Sequence, residues 1–116
     1  MDRVNDQTSA GVPTDAPIER RIAIGIATYC RPSGLDRMLA SLARIDAPQR
    51  CAIEIRVVDN EAGGSARPVI ERHAASSPWP IRYDIEPIQN IARARNRIIG
   101  MGPCDLLSII DDDEFV

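Results

Sequence analysis

The 116-residue sequence has few aromatic residues, no long apolar run and no surplus of positive charge. Aromatic side chains make up only 3% of it, so a surface that stacks several nucleotide bases is not expected. The net charge of −3 argues against a basic surface for nucleic acid. No apolar run approaches the roughly 18–20 residues that cross a bilayer. The sequence therefore predicts no nucleic acid polymer as a partner and no transmembrane segment.

Cysteine and histidine are also scarce. The three cysteines, Cys30, Cys51 and Cys104, form no C-x-x-C pair, so neither a disulfide framework nor a zinc knuckle is expected. His73 is the single histidine, which excludes zinc hydrolysis through several imidazoles, and we expect it to pack between helices. Neither G-x-G-x-x-G nor a P-loop motif is present. These absences indicate a protein of the reducing cytoplasm.

The N-terminal residues differ in character from the rest of the chain. They are polar, contain proline and glycine, and lack the apolar segment of a secretory signal. They cannot bury enough apolar surface to offset the entropy of ordering, so residues 1–20 are predicted to form a flexible tail. Residues 21–116 are predicted to form one modest domain.

Apolar segments alternate with helical patterns along that domain. Segments typical of strands lie at residues 22–28, 53–58, 81–85 and 106–110. Apolar side chains at helical spacing lie between them, the first series beginning after Ser33, a suitable N-cap. The order β-α-β-α-β-α-β with short connections predicts an α/β fold with a Rossmann-like parallel sheet.

Ligands of such sheets bind beyond the carboxyl ends of the strands. Polar residues follow three strands directly, at residues 28–31, 59–61 and 111–114. Four consecutive acids repel one another unless a cation neutralises them. Because residues i and i+2 of an extended segment point the same way, Asp111 and Asp113 can face one divalent cation. The alternative is a solvated acidic turn or helix N-terminus.

Other candidate residues have two interpretations each. Arg95, in a segment with arginines at 93, 95 and 97, can bind a diphosphate bidentately, or this helix can present a basic face that balances nearby acids. Asp59 follows a strand where such folds often bind ribose or base, or it forms a turn with the next residue. Tyr29 either lies against a flat base or covers the sheet edge.

Four segments in this order resemble the nucleotide-binding half of family 2 glycosyltransferases with the GT-A fold. They are IAIGIATYCRP, EIRVVDN, NIARARN and LLSIIDDDE. The resemblance covers about residues 20–116. Within the family, the sequence looks most like bacterial exopolysaccharide glucosyltransferases of the succinoglycan type. It implies metal-dependent transfer of a sugar, from a UDP-linked donor to a polysaccharide or lipid-linked acceptor at the inner face of the membrane.

The resemblance also implies roles for individual residues. The D-x-D motif matches residues 111–113, so Asp113 and Asp111 would bind Mn²⁺ or Mg²⁺. Asn96 would lie beside the donor with its neighbour Arg95. The implied contacts to the nucleotide sugar are Thr28, Tyr29, Arg31, Asp59, Asn90, Arg95, Asp111 and Asp112.

One expected element of the family is missing from the sequence. The general base of the family lies well downstream of the D-x-D, in the half that binds the acceptor, and this sequence ends at Val116. We therefore expect a truncated GT-A domain without a catalytic base, inactive alone, whose missing half belongs to a C-terminal segment or partner chain. The alternatives are half of a split enzyme and a non-enzymatic α/β interaction module that uses the open sheet edge. A further alternative is a phosphoryl-transfer or receiver-like domain, which would need a nucleophilic aspartate after the first strand, where Thr28, Tyr29 and Cys30 stand instead.

Overall fold

The computed structural model describes Ile18 and residues 20–111. The elements are β1 (Arg20–Thr28), α1 (Pro32–Leu42), β2 (Cys51–Asp59), α2 (Arg67–Ala74), β3 (Ile81–Ile85), α3 (Ile91–Ile99) and β4 (Leu106–Asp111). The predicted order and α/β class are confirmed. The expected tail lies outside the described residues except for Ile18 and Arg20, and Arg20 already belongs to β1. None of the described helices is of a length and apolarity that would let it cross a membrane.

The four strands form one parallel sheet in the order β3-β2-β1-β4. Thr28 of β1 is opposite Asp59 of β2, and Ala27 is opposite Asp111 of β4. On the other side of β2, Ile85 of β3 is also opposite Asp59. The carboxyl ends of all four strands therefore lie along one edge of the sheet, which we call the carboxyl edge.

The apolar core has two parts, one on each face of the sheet, because successive strand residues point to opposite faces. On one face, α1 and α2 pack with strand residues that include Ile26 and Val57. On the other, Ala94 and Ile98 of α3 pack with Ala27 and Val58. Burial of each large aliphatic side chain contributes about 1.5–3 kcal/mol. The first strand is thus buried on both faces over its second half, as its composition predicts.

The close approach of α3 to β1 depends on a glycine. A Cβ atom at Gly25 would lie 2.6 Å from Cγ2 of Ile98, far inside van der Waals contact. Glycine at this position lets the helix lie directly on the strand. Because α3 follows β3, its N-terminus lies at the carboxyl edge.

The α1 helix begins differently from the prediction. Pro32, whose fixed φ suits a first helical turn, is its first residue, and Arg31 occupies the N-cap. Ser33 lies inside the helix, so the predicted cap is wrong; no side chain of the described residues caps this end. The indole Nε1 of Trp79 donates to the carbonyl of Leu42 (2.9 Å) at the other end.

The two helices α1 and α2 are joined by a polar contact. Nε2 of His73 is hydrogen-bonded to Oδ1 of Asp36 (2.7 Å), which also accepts from Arg72 (2.8 Å). The hydrogen bonds from His73 and then Arg72 lower the pKa of Asp36. The single histidine therefore joins two helices, as expected of a packing residue.

Arg56, in the middle of β2, is a buried charge with a side chain only 1% exposed. Its Nε atom donates to the carboxylate of Glu54 (2.6 Å). Its Nη1 and Nη2 atoms donate to the carbonyls of Ile98 (3.0 Å) and Gly102 (2.9 Å), respectively. These carbonyls lie in the last turn of α3 and just beyond it, so the guanidinium joins the C-terminal end of this helix to β2.

Candidate functional site

Asp59, the last residue of β2, is fully buried at the carboxyl edge. Its Oδ2 atom accepts hydrogen bonds from the backbone N–H of Ala66 (3.0 Å) and the hydroxyl of Tyr83 (2.9 Å). Its Oδ1 atom has no hydrogen-bond partner among the described residues. Because a buried polar atom without a partner is costly, a ligand N–H or O–H that reached Oδ1 would be strongly favoured.

The Tyr83 ring lies between Asp59 and Arg67. Cζ of Arg67 is 5.0 Å from the ring centroid, within the range of a cation–π contact. Desolvation, and then the hydrogen bond to the Asp59 carboxylate, raises the pKa of Tyr83 above its usual value. The hydroxyl therefore keeps its proton at neutral pH and acts as a donor.

The loop between β2 and α2 brings the Ala66 N–H to Asp59. The backbone carbonyl of Glu61 accepts from the N–H of Gly64 (3.0 Å), and its carboxylate accepts from the N–H of Ser65 (3.3 Å). Hydrogen bonds from Ser65 lower the pKa of Glu61. Gly64 has a φ of 68°, a conformation that glycine adopts readily.

Asn60 ties the end of β2 to the segment that leads into α3. Its Nδ2 atom donates to the carbonyls of Glu86 (3.0 Å) and Ile88 (2.7 Å), and its Oδ1 atom accepts from the N–H of Asn90 (2.9 Å). Its own N–H donates to the carbonyl of Thr28 (2.8 Å). This buried side chain therefore fixes the start of α3 against the ends of β1 and β2.

Glu86, buried just beyond β3, is surrounded by donors. One carboxylate oxygen accepts from the N–H of Ile88 (3.1 Å) and Nε of Arg93 (3.4 Å), and the other from Nη2 of Arg97 (3.1 Å). The backbone hydrogen bond from Ile88, and then Arg97, lowers the pKa of Glu86. Arg97 also donates to Asp84 (3.0 Å).

The arginines of α3 thus have different surroundings. Arg93 and Arg97 form ion pairs with nearby acids, as the alternative interpretation of this helix expects. They are four residues apart and therefore share a face of the helix. Arg95, two residues from each, projects from another side and is exposed. Asn90 is the N-cap of α3, its side chain accepting from the N–H of Arg93 (3.0 Å). Asn96 is exposed on the same helix.

Of the remaining predicted site residues, those that the structure describes lie at the same edge of the sheet. Thr28 is buried at the end of β1, and Tyr29 and Arg31 are exposed in the turn to α1. Asp111 is the last residue of β4; its side chain, with Asp112 and Asp113, lies outside the described residues. The described part of the chain contains no group of three or more His, Cys, Asp or Glu residues that could hold a metal ion.

Two residues that build this edge, Glu86 and Tyr83, are not indicated by the patterns in the sequence analysis, and for a third, Asn60, only its place in a polar segment is indicated. Glu86 follows β3 directly, so the strand-end rule, extended to this strand, would have indicated it. Asn60 follows Asp59 in the polar segment already noted. Tyr83 is a partly buried residue inside an edge strand, and no local signal distinguishes it.

The sequence matches a protein-family model and a curated relative. The family model described as Glycosyl transferase family 2 matches residues 23–116. Succinoglycan biosynthesis protein ExoM of Rhizobium meliloti (strain 1021) is 40% identical over 95 residues, which are 82% of this chain and 30% of ExoM. The chain therefore spans about a third of the length of this curated relative.

Solved structures share the fold, among them the two that follow. The crystal structure of S. aureus TarS 1–349 has a TM-score of 0.70 at 18% identity, covering 82% of this chain and 28% of that one. Mannosyltransferase PcManGT from Pyrobaculum calidifontis, in complex with GDP-Man and Mn²⁺, has a TM-score of 0.71 at 21% identity, covering 88% and 31%. At these identities the likeness concerns the fold alone, and it confirms the expected GT-A class. With the family match over residues 23–116, the chain belongs to glycosyl transferase family 2.

Proposed function

We propose that the carboxyl edge binds the nucleoside diphosphate of a UDP-linked sugar donor, for synthesis of an exopolysaccharide or another cell-surface glycan. The observation that carries the proposal is the buried Oδ1 atom of Asp59, for which the described part of the chain offers no donor. An N–H of the base or a ribose hydroxyl would supply one. Membership of the family gives the reaction class, and the 40% identity to ExoM supports an exopolysaccharide as the product.

The base and ribose are assigned to the space between Asp59 and the turn after β1. Tyr29 exposes 44% of its surface there and offers a flat ring to the base. Thr28 is paired with Asp59 in the sheet, and Arg31 follows in the same turn. These elements reach the edge together because their strands are parallel and in register.

The diphosphate is assigned to Arg95 and to the N-terminal part of α3, with Asn90 and Asn96 nearby. Mn²⁺ or Mg²⁺ would be held by Asp111 and Asp113, whose carboxylates are the oxygen ligands that these ions prefer, with Asp112 near the donor. The Mn²⁺ in the PcManGT complex supports a divalent ion on this fold. A bound ion would neutralise charge that develops on the leaving diphosphate.

The acceptor and the general base are assigned to the part of the family domain that these residues do not cover, since they span 30% of ExoM. The acceptor is a polysaccharide or a lipid-linked sugar at the inner face of the membrane. We predict that residues 1–116 bind a sugar donor without transferring its sugar. We also predict that a further segment or a partner chain completes the enzyme.

Calorimetric titration of the 116-residue chain with UDP, in Mn²⁺ or in EDTA, tests the proposal. UDP is expected to bind in Mn²⁺, and Asp113→Ala to weaken that binding by about tenfold or more, since loss of even an outer-shell partner costs about 10–100-fold in metal affinity. Asp46→Ala, at an exposed acid between α1 and β2, is the matched control. Unchanged binding by Asp113→Ala overturns the metal assignment.

A chain that acts as an interaction module would behave differently in the same experiment. It would give no heat with UDP, no nucleotide-dependent shift in melting temperature, and oligomers in size-exclusion chromatography. That combination overturns the donor site.

A further inference from the structure

Both donors that reach Asp59 converge on one of its two oxygens. The Ala66 N–H and the Tyr83 hydroxyl donate to Oδ2, while the described residues provide no donor for Oδ1. The two oxygens of a carboxylate are equivalent, so what the donors fix is the direction in which the group faces. Any other orientation of the Asp59 carboxylate would break two buried hydrogen bonds.

The second donor comes from a different strand. Tyr83 lies on β3, where it is opposite Val57 of β2, and its side chain extends toward the carboxyl edge to reach Asp59. Its ring is partly buried, and Arg67 covers one face at 5.0 Å. The hydroxyl is thereby held in a defined position at Oδ2 and makes no hydrogen bond to Oδ1.

We propose that Tyr83 is a positioning residue for nucleotide recognition, which presents Oδ1 of Asp59 to an imide N–H of the base by holding Oδ2. This inference rests on the proposed function and adds to it the residue that positions the Asp59 carboxylate. A site that is built to accept one N–H discriminates strongly against a ligand that lacks it, because a buried acceptor is then left unpaired. Uracil, with its N3–H, meets this requirement, and 3-methyluracil does not.

The test compares binding of UDP and 3-methyl-UDP to the 116-residue chain in Mn²⁺ by calorimetry. The unmodified chain is expected to prefer UDP by about tenfold or more. Tyr83→Phe is expected to lower that preference about fivefold or more, because the carboxylate is released. The matched control is Trp79→Phe. Like Tyr83→Phe, it removes one hydrogen-bond donor from a partly buried aromatic side chain, here the indole N–H, but it leaves the carboxyl edge intact.

Each outcome decides something different. If the unmodified chain binds neither ligand, the proposed function fails and this inference fails with it. If it prefers UDP and Tyr83→Phe keeps the same preference, only the role of Tyr83 is overturned. Equal weakening of both ligands by Tyr83→Phe would mean a purely structural role and also overturns it.

Urea unfolding checks that Tyr83→Phe is folded. Should it fail to fold, Arg67→Met takes its place, since it removes the cation above the ring and leaves the hydroxyl. We expect Arg67→Met to lower the preference for UDP in the same direction, and an unchanged preference would overturn the proposal.

Discussion

Oδ1 of Asn60, one residue beyond β2, accepts a hydrogen bond from the backbone N–H of Asn90, the residue that caps α3 (2.9 Å). One side chain therefore sets where α3 begins relative to the strand ends. Because α3 carries Arg95, proposed to contact the diphosphate, this hydrogen bond would link the proposed base and phosphate ends of the site.

Replacement of Asn60 by alanine should destabilise the protein strongly. Asn60→Ala removes three side-chain hydrogen bonds and leaves the carbonyl of Glu86 unpaired, so we expect a loss of about 2–4 kcal/mol in urea unfolding. Hydrogen exchange should rise at the Asn90 amide. Asn96→Ala, at an exposed position of α3, should change stability by no more than about 0.5 kcal/mol. Equal losses in the two variants would contradict this account.

The buried guanidinium of Arg56 should also be indispensable for stability. Arg56→Met removes one buried donor each from Glu54 and from the carbonyls of Ile98 and Gly102, and we expect a loss of about 3 kcal/mol or more. Arg82 shares the carboxylate of Glu54 but is exposed, so Arg82→Met should cost at most about 1 kcal/mol. Urea unfolding of both variants measures the difference, and similar costs would refute the distinction.

A methyl group at Gly25 should push α3 away from the sheet. Gly25→Ala is expected to cost about 1–3 kcal/mol, because its Cβ would lie 2.6 Å from Cγ2 of Ile98. Combined with Ile98→Ala, the loss should be smaller than the sum of the two single losses, which a double-mutant cycle measures. Gly100→Ala, where a Cβ would lie 3.4 Å from the nearest atom, is the control and should be nearly neutral.

The carboxylate of Glu86 should make stability fall in acid. Its pKa is lowered in the folded protein, first by the Ile88 N–H and then by Arg97, so the unfolded chain binds more protons below about pH 4.3. The stability that the carboxylate confers is complete above that pH and is lost as the pH falls through the folded pKa.

Glu86→Gln should therefore be less stable at pH 7 and show a shallower fall in acid. Urea midpoints over a pH series measure both, with the exposed Glu71→Gln as the control. An acid dependence as steep as that of the unmodified chain would rule out this role for Glu86.

Much of the fold follows from local sequence patterns. The alternation at residues 81–85 gives the bounds of β3, and the parallel order alone brings Thr28, Asp59 and Asp111 to one edge. The start of α1 does not follow, because Pro32 suits a first turn better than Ser33 suits a cap.

The supporting residues of the site do not follow from local patterns either. Tyr83 meets Asp59 across 24 positions of sequence, and Asn60 meets Asn90 across 30. Such pairs are set by the register of β2 and β3 and by the crossover into α3. No local periodicity carries that information.

The hydrogen bonds at both ends of α3 also bear on how the protein can change shape when a nucleotide sugar binds. Asn60, just beyond β2, binds the segment that starts the helix. Arg56 of β2 binds the carbonyls of Ile98 in the last turn and of Gly102 just beyond it. Hydrogen bonds at both ends of α3 therefore oppose its tilting or sliding relative to β2. A change of shape on binding of the sugar donor would have to arise elsewhere, and the exposed turn at residues 29–31, beside the position proposed for the base, is the described segment best placed for it.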